Sequence, residues 1–473
     1  MPPEEPEFWT GVRSSRAYGP VCPVPAGPAS GNDANEFAMQ HEYGLMDEDC
    51  LNLNIWTQNI NNGEKKPVMV WLHGGGYSSG SSHELPSYDG LNLSKTRNVV
   101  VVSINHRLNV LGFLDLSGFG EKYKYSANVG MLDQVAALEW VQNNIQNFGG
   151  DPGNVTIFGQ SGGGGKVCTL MQMPAAKGLF HKGISQSNGT MAFNDTTVTR
   201  LVGLNVLREL GLDEDQVDLL QTIPYEDLYA AGRVAMNKTS QYLREQGISS
   251  QRPEWAPSID GEVIPYQLGS PQGLAISKDI PLMIGTTKNE VSAMMSRSVD
   301  PDASLGEVKD ILRRSHGENT DAFVAAVQED HPDMTLPAEM LDIDIIFRPI
   351  AVYLAGQKSV TDGSAPAYLY MFSWQSPMLD GSLKASHCME IGFAFNNIAA
   401  NRELTGDSEE AYALADQLSK TWARFAATGN PNGEGLPEWP SYNDETGYTM
   451  IFNNTSEAVS HYDKSLIDFL SNE

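Results

Sequence analysis

From Pro67 onward, short β-branched apolar runs alternate with longer stretches whose apolar residues recur at helical spacing. Val68-Met-Val-Trp-Leu72 and Asn98-Val-Val-Val-Val-Ser103 are apolar almost without interruption. A strand covered on both faces needs that character, so both segments predict strands of a parallel sheet. Leu132 to Phe148 carries apolar residues at helical spacing, including Val135, Leu138, Trp140, Val141 and Ile145, and runs into Gly149-Gly150, a helix stop. Val155-Thr-Ile-Phe158 predicts another strand, which passes through Gly159-Gln-Ser-Gly-Gly163 into a helix over Lys166 to Met173. The repeated order of strand, turn and helix predicts an α/β chain on a doubly wound, mostly parallel sheet.

Residues 196–251 are helical in pattern and more charged, which predicts a cap or insertion. Strand signals return at Pro281 to Gly285 and at Ala367 to Trp374, with a second helical insertion over 304–358 between them. Ala411 to Ala427 predicts a late amphipathic helix closed by Gly429-Asn-Pro431. With no internal repeat and no low-complexity linker, the chain is expected to form one elaborated domain over 1–473.

Composition removes several function classes. The 31 Lys and Arg against 59 Asp and Glu leave a net charge of -28, a sign that repels phosphate backbones and anionic lipid, so neither nucleic acid nor membrane is expected as a partner. The apolar runs stop well short of the roughly 18 residues a membrane span requires. Four cysteines with no CxxC spacing, and the lack of an HExxH pair or an EF-hand loop, predict neither metal nor cofactor. Met1-Pro-Pro-Glu-Glu-Pro lacks the basic and apolar regions of a signal peptide, which favours a cytoplasmic protein, or a secreted one if the start is truncated.

The chemistry sits at the turns. Gly159-Gln-Ser-Gly-Gly163 fits the G-x-S-x-G elbow, in which a serine is presented on a turn too tight for neighbouring side chains, making Ser161 a candidate nucleophile. A phosphate cradle ending in Gly165-Lys166 would need glycine at Gln160 and Ser or Thr at Val167. His73-Gly-Gly-Gly76, directly after a strand, matches the backbone donors of an oxyanion hole, and the amide of Gly162 supplies the third. His73 itself reads as a packed strand-end histidine. The order Ser, acid, His leaves His316, His331, His387 and His461 as possible bases. His387 is best placed, across a loop from a strand, with His461 as the alternative. For the acid, Glu290 follows a strand, and Asp260 is its rival.

These segments together resemble the type-B carboxylesterase/lipase family, which includes cholinesterases and bacterial nitrobenzyl esterases. Phe148 through Gly163 resembles the family's serine signature over its whole length, and Glu48-Asp-Cys-Leu-Asn-Leu-Asn54 its second signature. Asn105-His-Arg-Leu108, Asn128 to Gln134, Gly285 to Glu290, and Ser386-His387 followed by Glu390 extend the likeness over nearly the whole chain. The resemblance implies an α/β-hydrolase fold. It also implies Ser161, Glu290 and His387 as the catalytic triad, and Gly75, Gly76 and Gly162 as the oxyanion hole. Cys22 and Cys50 resemble the family's first disulfide, and Trp255 resembles the aromatic wall of its acyl pocket. Three departures stand out. Gln160 replaces the usual glutamate before the serine, which implies less dependence on cationic alcohol groups; no tryptophan lies between Cys22 and Cys50; and the resemblance starts at Pro2, so the family's early strands are expected to be absent from this sequence.

The function implied is hydrolysis of carboxylic esters of short to medium acyl chain through an acyl-enzyme, with Gln160 and Trp255 touching substrate. A small-molecule ester is the expected partner, and a monomer or homodimer the expected state. The alternative, an inactive cholinesterase-like adhesion or scaffold protein, would typically have lost the serine or the histidine, and both are kept.

Overall fold

The computed structural model describes residues 1–6, 8–25, 33–60, 63–248, 252–291 and 300–472. Its centre is a nine-stranded sheet. In chain order the strands are β1 (Leu53–Trp56), β2 (Lys66–Leu72), β3 (Val100–Ile104), β4 (Gly150–Gln160) and β5 (Lys182–Gln186), then β6 (Leu282–Thr287), β7 (Ala367–Phe372), β8 (Thr449–Phe452) and β9 (Glu457–Val459). Across the sheet they run β1-β3-β2-β4-β5-β6-β7-β8-β9. The seven inner strands are parallel, and β1 and β9 pair antiparallel at the two edges.

Alternate residues of one strand feed two cores. Val68, Val70 and Leu72 of β2 join one apolar cluster, while Met69 and Trp71 join the other, packed with Phe158 and Phe395. That is why these strands read as unbroken apolar runs. Helices cover both faces: α1 (Val129–Asn144), α2 (Gly162–Leu170), α3 (Thr196–Glu209), α4 (Tyr225–Glu245), α5 (Leu305–His316), α6 (Thr320–Asp330), α7 (Phe347–Val360), α8 (Met389–Ala394), α9 (Glu409–Thr428) and α10 (Lys464–Asn472). Among the described residues, no helix is long and apolar enough to cross a membrane.

The glycine stops behave as expected. Gly149 and Gly429 take φ of 77° and 78°, the left-handed conformation that ends a helix. Helix α2 opens ahead of the expected Lys166, at Gly162, inside a run of four glycines with poor helix propensity. Tertiary contact decides it, since a side chain at Gly163 would strike the Leu72 carbonyl and one at Gly164 the carbonyl of Gln186. Helix α2 therefore lies directly on the ends of β2 and β5. Because the inner strands are parallel, the loops after β2, β4, β6 and β7 all leave from one edge, where ligands of open α/β sheets bind.

Candidate active site

Ser161 stands between β4 and α2 with φ 59° and ψ −123°, a strained backbone held by its neighbours. Its amide donates to the Gln186 carbonyl (2.8 Å), and its own carbonyl accepts from the Gly165 amide (3.0 Å). Register pins the elbow further, because Gly159 pairs with Leu72 and Gln160 with Gln186. The loop after β2 folds onto this turn with Gly75 and Gly76 at φ 82° and 62°. A Cβ on Gly162 would fall 2.3 Å from the Gly76 carbonyl oxygen, so glycine is required for that approach. The three glycines expected to form an oxyanion hole are thus gathered at the start of a helix, where backbone N–H groups lack helical partners.

Glu290 lies beyond β6, and its Oε1 accepts the amide of Thr287 (2.8 Å). Its Oε2 is 2.5 Å from Nδ1 of His387. The loops carrying the two residues are stitched together by a β-bridge between Asn289 and Ser386. Burial works against a charged imidazole, but Cys388 and Glu290 beside it hold the His387 pKa well above its ordinary value. Two further carboxyls flank Glu290. Burial first, and then repulsion from Glu290, pushes both Asp344 and Glu390 up to about 7. Asp344 accepts three backbone amides at the start of α7, and Glu390 accepts from Gln186, which in turn accepts from the indole of Trp422.

Ser161 and His387 line one cavity of about 300 Å³, together with Gly74, Gly75, Gln160 and Cys388. Its outer wall includes Tyr43, Tyr88 and the buried Glu84, whose carboxylate lies 3.3 Å from Nδ1 of His41. Trp255 is not among the lining residues. It is buried against Gly232 of α4 in the larger core. Gln160 does reach the cavity, but its amide rests on the His387 ring, 3.3 and 3.4 Å from the two ring nitrogens. Cys22 and Cys50 adjoin as buried thiols joined by a side-chain hydrogen bond.

The other candidates have structural partners. His73 is buried and stacked on His106, with centroids 4.9 Å apart. His316 stacks on Phe323, His331 meets Asp463 at 2.9 Å, and His461 contacts the Glu445 carbonyl. Asp260 caps its own turn through the amides of Glu262 and Ile264. Among the described residues, no group of three or more His, Cys, Asp or Glu is arranged to hold a metal ion. Phe347, whose ring is tilted 31° to that of His387 with centroids 4.9 Å apart, and the contact of Cys388 with Gln160 were not anticipated from the sequence. Only the position of Cys388 beside His387 hinted at either.

A strained serine at a strand-to-helix turn, glycine amides beside it and a His–Glu pair in the same cavity define a serine hydrolase of the α/β-hydrolase fold. Wider comparison agrees. The carboxylesterase family profile matches residues 1–470, so the chain belongs to the carboxylesterase family and is a serine carboxylic-ester hydrolase. It is 35% identical over 466 residues to the para-nitrobenzyl esterase of Bacillus subtilis, covering 95% of this chain and 86% of that protein. To rat carboxylesterase 1E it is 34% identical, covering 98% and 85%. Among solved structures, an esterase from anaerobic Clostridium hathewayi that can hydrolyse aliphatic aromatic polyesters superposes with a TM-score of 0.83 at 37% identity, over 100% of this chain and 91% of that one. A thermophilic pNB esterase gives 0.79 at 32%, over 99% and 92%.

Proposed function

We propose that Ser161, His387 and Glu290 carry the hydrolysis, with Gly75, Gly76 and Gly162 as the oxyanion hole. The Ser161 hydroxyl attacks the ester carbonyl while His387 takes its proton at Nε2, and Glu290 orients the ring through Nδ1 and stabilises the imidazolium. The carbonyl electron pair moves onto oxygen, where the glycine amides stabilise it. When the tetrahedral adduct collapses, the C–O bond to the alcohol breaks and His387 returns the proton to the leaving alkoxide. Water then attacks the acyl-Ser161 ester with His387 again as base, releasing the acid and restoring the hydroxyl. The observation that carries this reading is the Glu290–His387 pair opening into the cavity that Ser161 lines.

The natural substrate we infer is an ester of short to medium acyl chain, in keeping with a cavity of about 300 Å³, at the small end for ligand sites. A fluorophosphonate probe should label wild-type protein and not Ser161→Ala, with Ser161→Ala or His387→Ala losing on the order of 10³-fold or more in kcat. Retained turnover in either variant would remove that residue from the mechanism. A p-nitrophenyl series from acetate to decanoate should peak between about two and six carbons. An aliphatic aromatic polyester belongs in the same panel, because the Clostridium hathewayi esterase hydrolyses such polymers.

A further inference from the structure

Gln160 is fully buried one residue before Ser161, and its amide nitrogen is 3.3 Å from Nε2 and 3.4 Å from Nδ1 of His387. A group nearly equidistant from both ring nitrogens cannot be bonded along either lone pair. In the ring plane such a position would collide with Cε1, so the amide lies over the ring face. The in-plane edge at Nδ1 is already taken by Glu290. At its other end, Oε1 of Gln160 accepts a hydrogen bond from the thiol of Cys388, 3.2 Å away. Cys388 follows His387 directly, with φ 70° in the left-handed region, which turns its side chain back toward the elbow strand. The result is a closed loop of contacts: the His387 ring, the Gln160 amide, the Cys388 thiol, and the backbone back to His387.

We propose that Cys388 and Gln160 form a positioning pair that fixes the His387 ring, with the Gln160 NH₂ set against its charged form. The inference rests on His387 being the base. The thiol donates, so the amide oxygen turns to it and the NH₂ turns to the imidazole. An NH₂ carries partial positive charge and opposes an imidazolium beneath it, whereas a carboxylate at the same point would favour one. Other groups that face His387 or its partner are Glu290, Asp344 and Glu390 on the buried side, with His41, Glu84 and Tyr88 across the cavity. None of these touches Gln160 through a hydrogen bond among the described residues, so a change at Gln160 reports on the pair.

The test is the pH profile of kcat/KM with separate kcat and KM. Gln160→Glu is expected to move the ascending limb by about one pH unit to the alkaline side. Cys388→Ala should lower kcat by about 10-fold with KM little changed, because a loosened base misses the transition state more than the ground state. Cys388→Ser, which keeps a donor, should recover most of that loss. Coincident pH limbs for wild type and Gln160→Glu overturn the proposal. So, if Gln160→Glu does not fold, does equal kcat in Cys388→Ala and Cys388→Ser. His387→Ala separates the layers: full activity there removes the base itself, while an inactive His387→Ala beside unmoved Gln160 and Cys388 variants removes only the positioning pair.

Discussion

The carboxylate of Glu290 and Nδ1 of His387 stand 2.5 Å apart with the acid fully buried, so the charge that orients the base is screened little by solvent. With the His387 pKa held above its ordinary value, a base that must be uncharged works only on the alkaline side. The ascending limb of kcat/KM is therefore expected above the ordinary histidine pKa of about 6.5. Glu290→Gln should pull that limb toward acid and cost on the order of 10³-fold or more in kcat. A wild-type limb centred below the ordinary value would contradict this electrostatic picture.

How much of this was legible in the sequence depended on whether a residue's role is local. The elbow around Ser161 and the glycines after Leu72 are set by turns of a few residues, so their pattern is written contiguously. Strand β5 left no such trace. Lys182-Gly-Ile-Ser-Gln186 has one large apolar residue, yet every position is buried, because Ser185 and Gln186 bond to Gly164, Glu390 and Trp422 instead of facing water. Strands β8 and β9 are too short for periodicity to register. The contact of Gln160 with Cys388 joins residues 228 positions apart, and only the fold brings them together.

Lys166 is fully enclosed beneath the glycine loop, with Nζ donating to the His73 carbonyl at 2.9 Å. Burial pushes its pKa down from 10.5 to about 7, against a smaller opposing pull from Glu84. The unfolded chain thus holds a proton there that the folded chain has lost between pH of about 7 and about 10.5. Stability from this site is fully present above that window and is lost as pH falls through it. The melting temperature of wild type relative to Lys166→Met should rise by several degrees across the window. A difference that is flat or falls with pH would show that the amine keeps its proton in the fold.

Trp255 packs on Gly232, where an added Cβ would lie 2.7 Å from the indole, and it joins the core rather than the wall of the Ser161 cavity. Trp255→Ala should therefore cost about 3–5 kcal/mol of stability, since a large side chain would leave a hole in a packed core. The acyl-chain optimum should stay where it is. Assaying the p-nitrophenyl series on wild type and variant at a temperature where both are folded decides the matter. A shift toward longer acyl chains would return Trp255 to the substrate site.

Cys22 and Cys50 meet as buried thiols, and Sγ of Cys22 also accepts the Leu108 amide at 3.2 Å. The hydrogen bond that the Cys50 thiol donates to Cys22, and then burial, push the Cys50 thiol up, so little thiolate is present near neutrality. Thiolate is the species that forms disulfides, so oxidation of the native protein should be slow and oxidative refolding should bridge the pair faster. Once formed, the bridge would close a loop of about 29 residues and add roughly 3 to 4 kcal/mol by the chain-entropy estimate. Intact mass after alkylation under denaturing conditions without reductant reads the outcome. Protein refolded under oxidising conditions should lack label at both cysteines and melt higher than Cys22→Ser, while natively incubated protein should label at both for far longer. Equal labelling of the two preparations at Cys22 and Cys50 would show that the pair stays reduced even where oxidation is favoured.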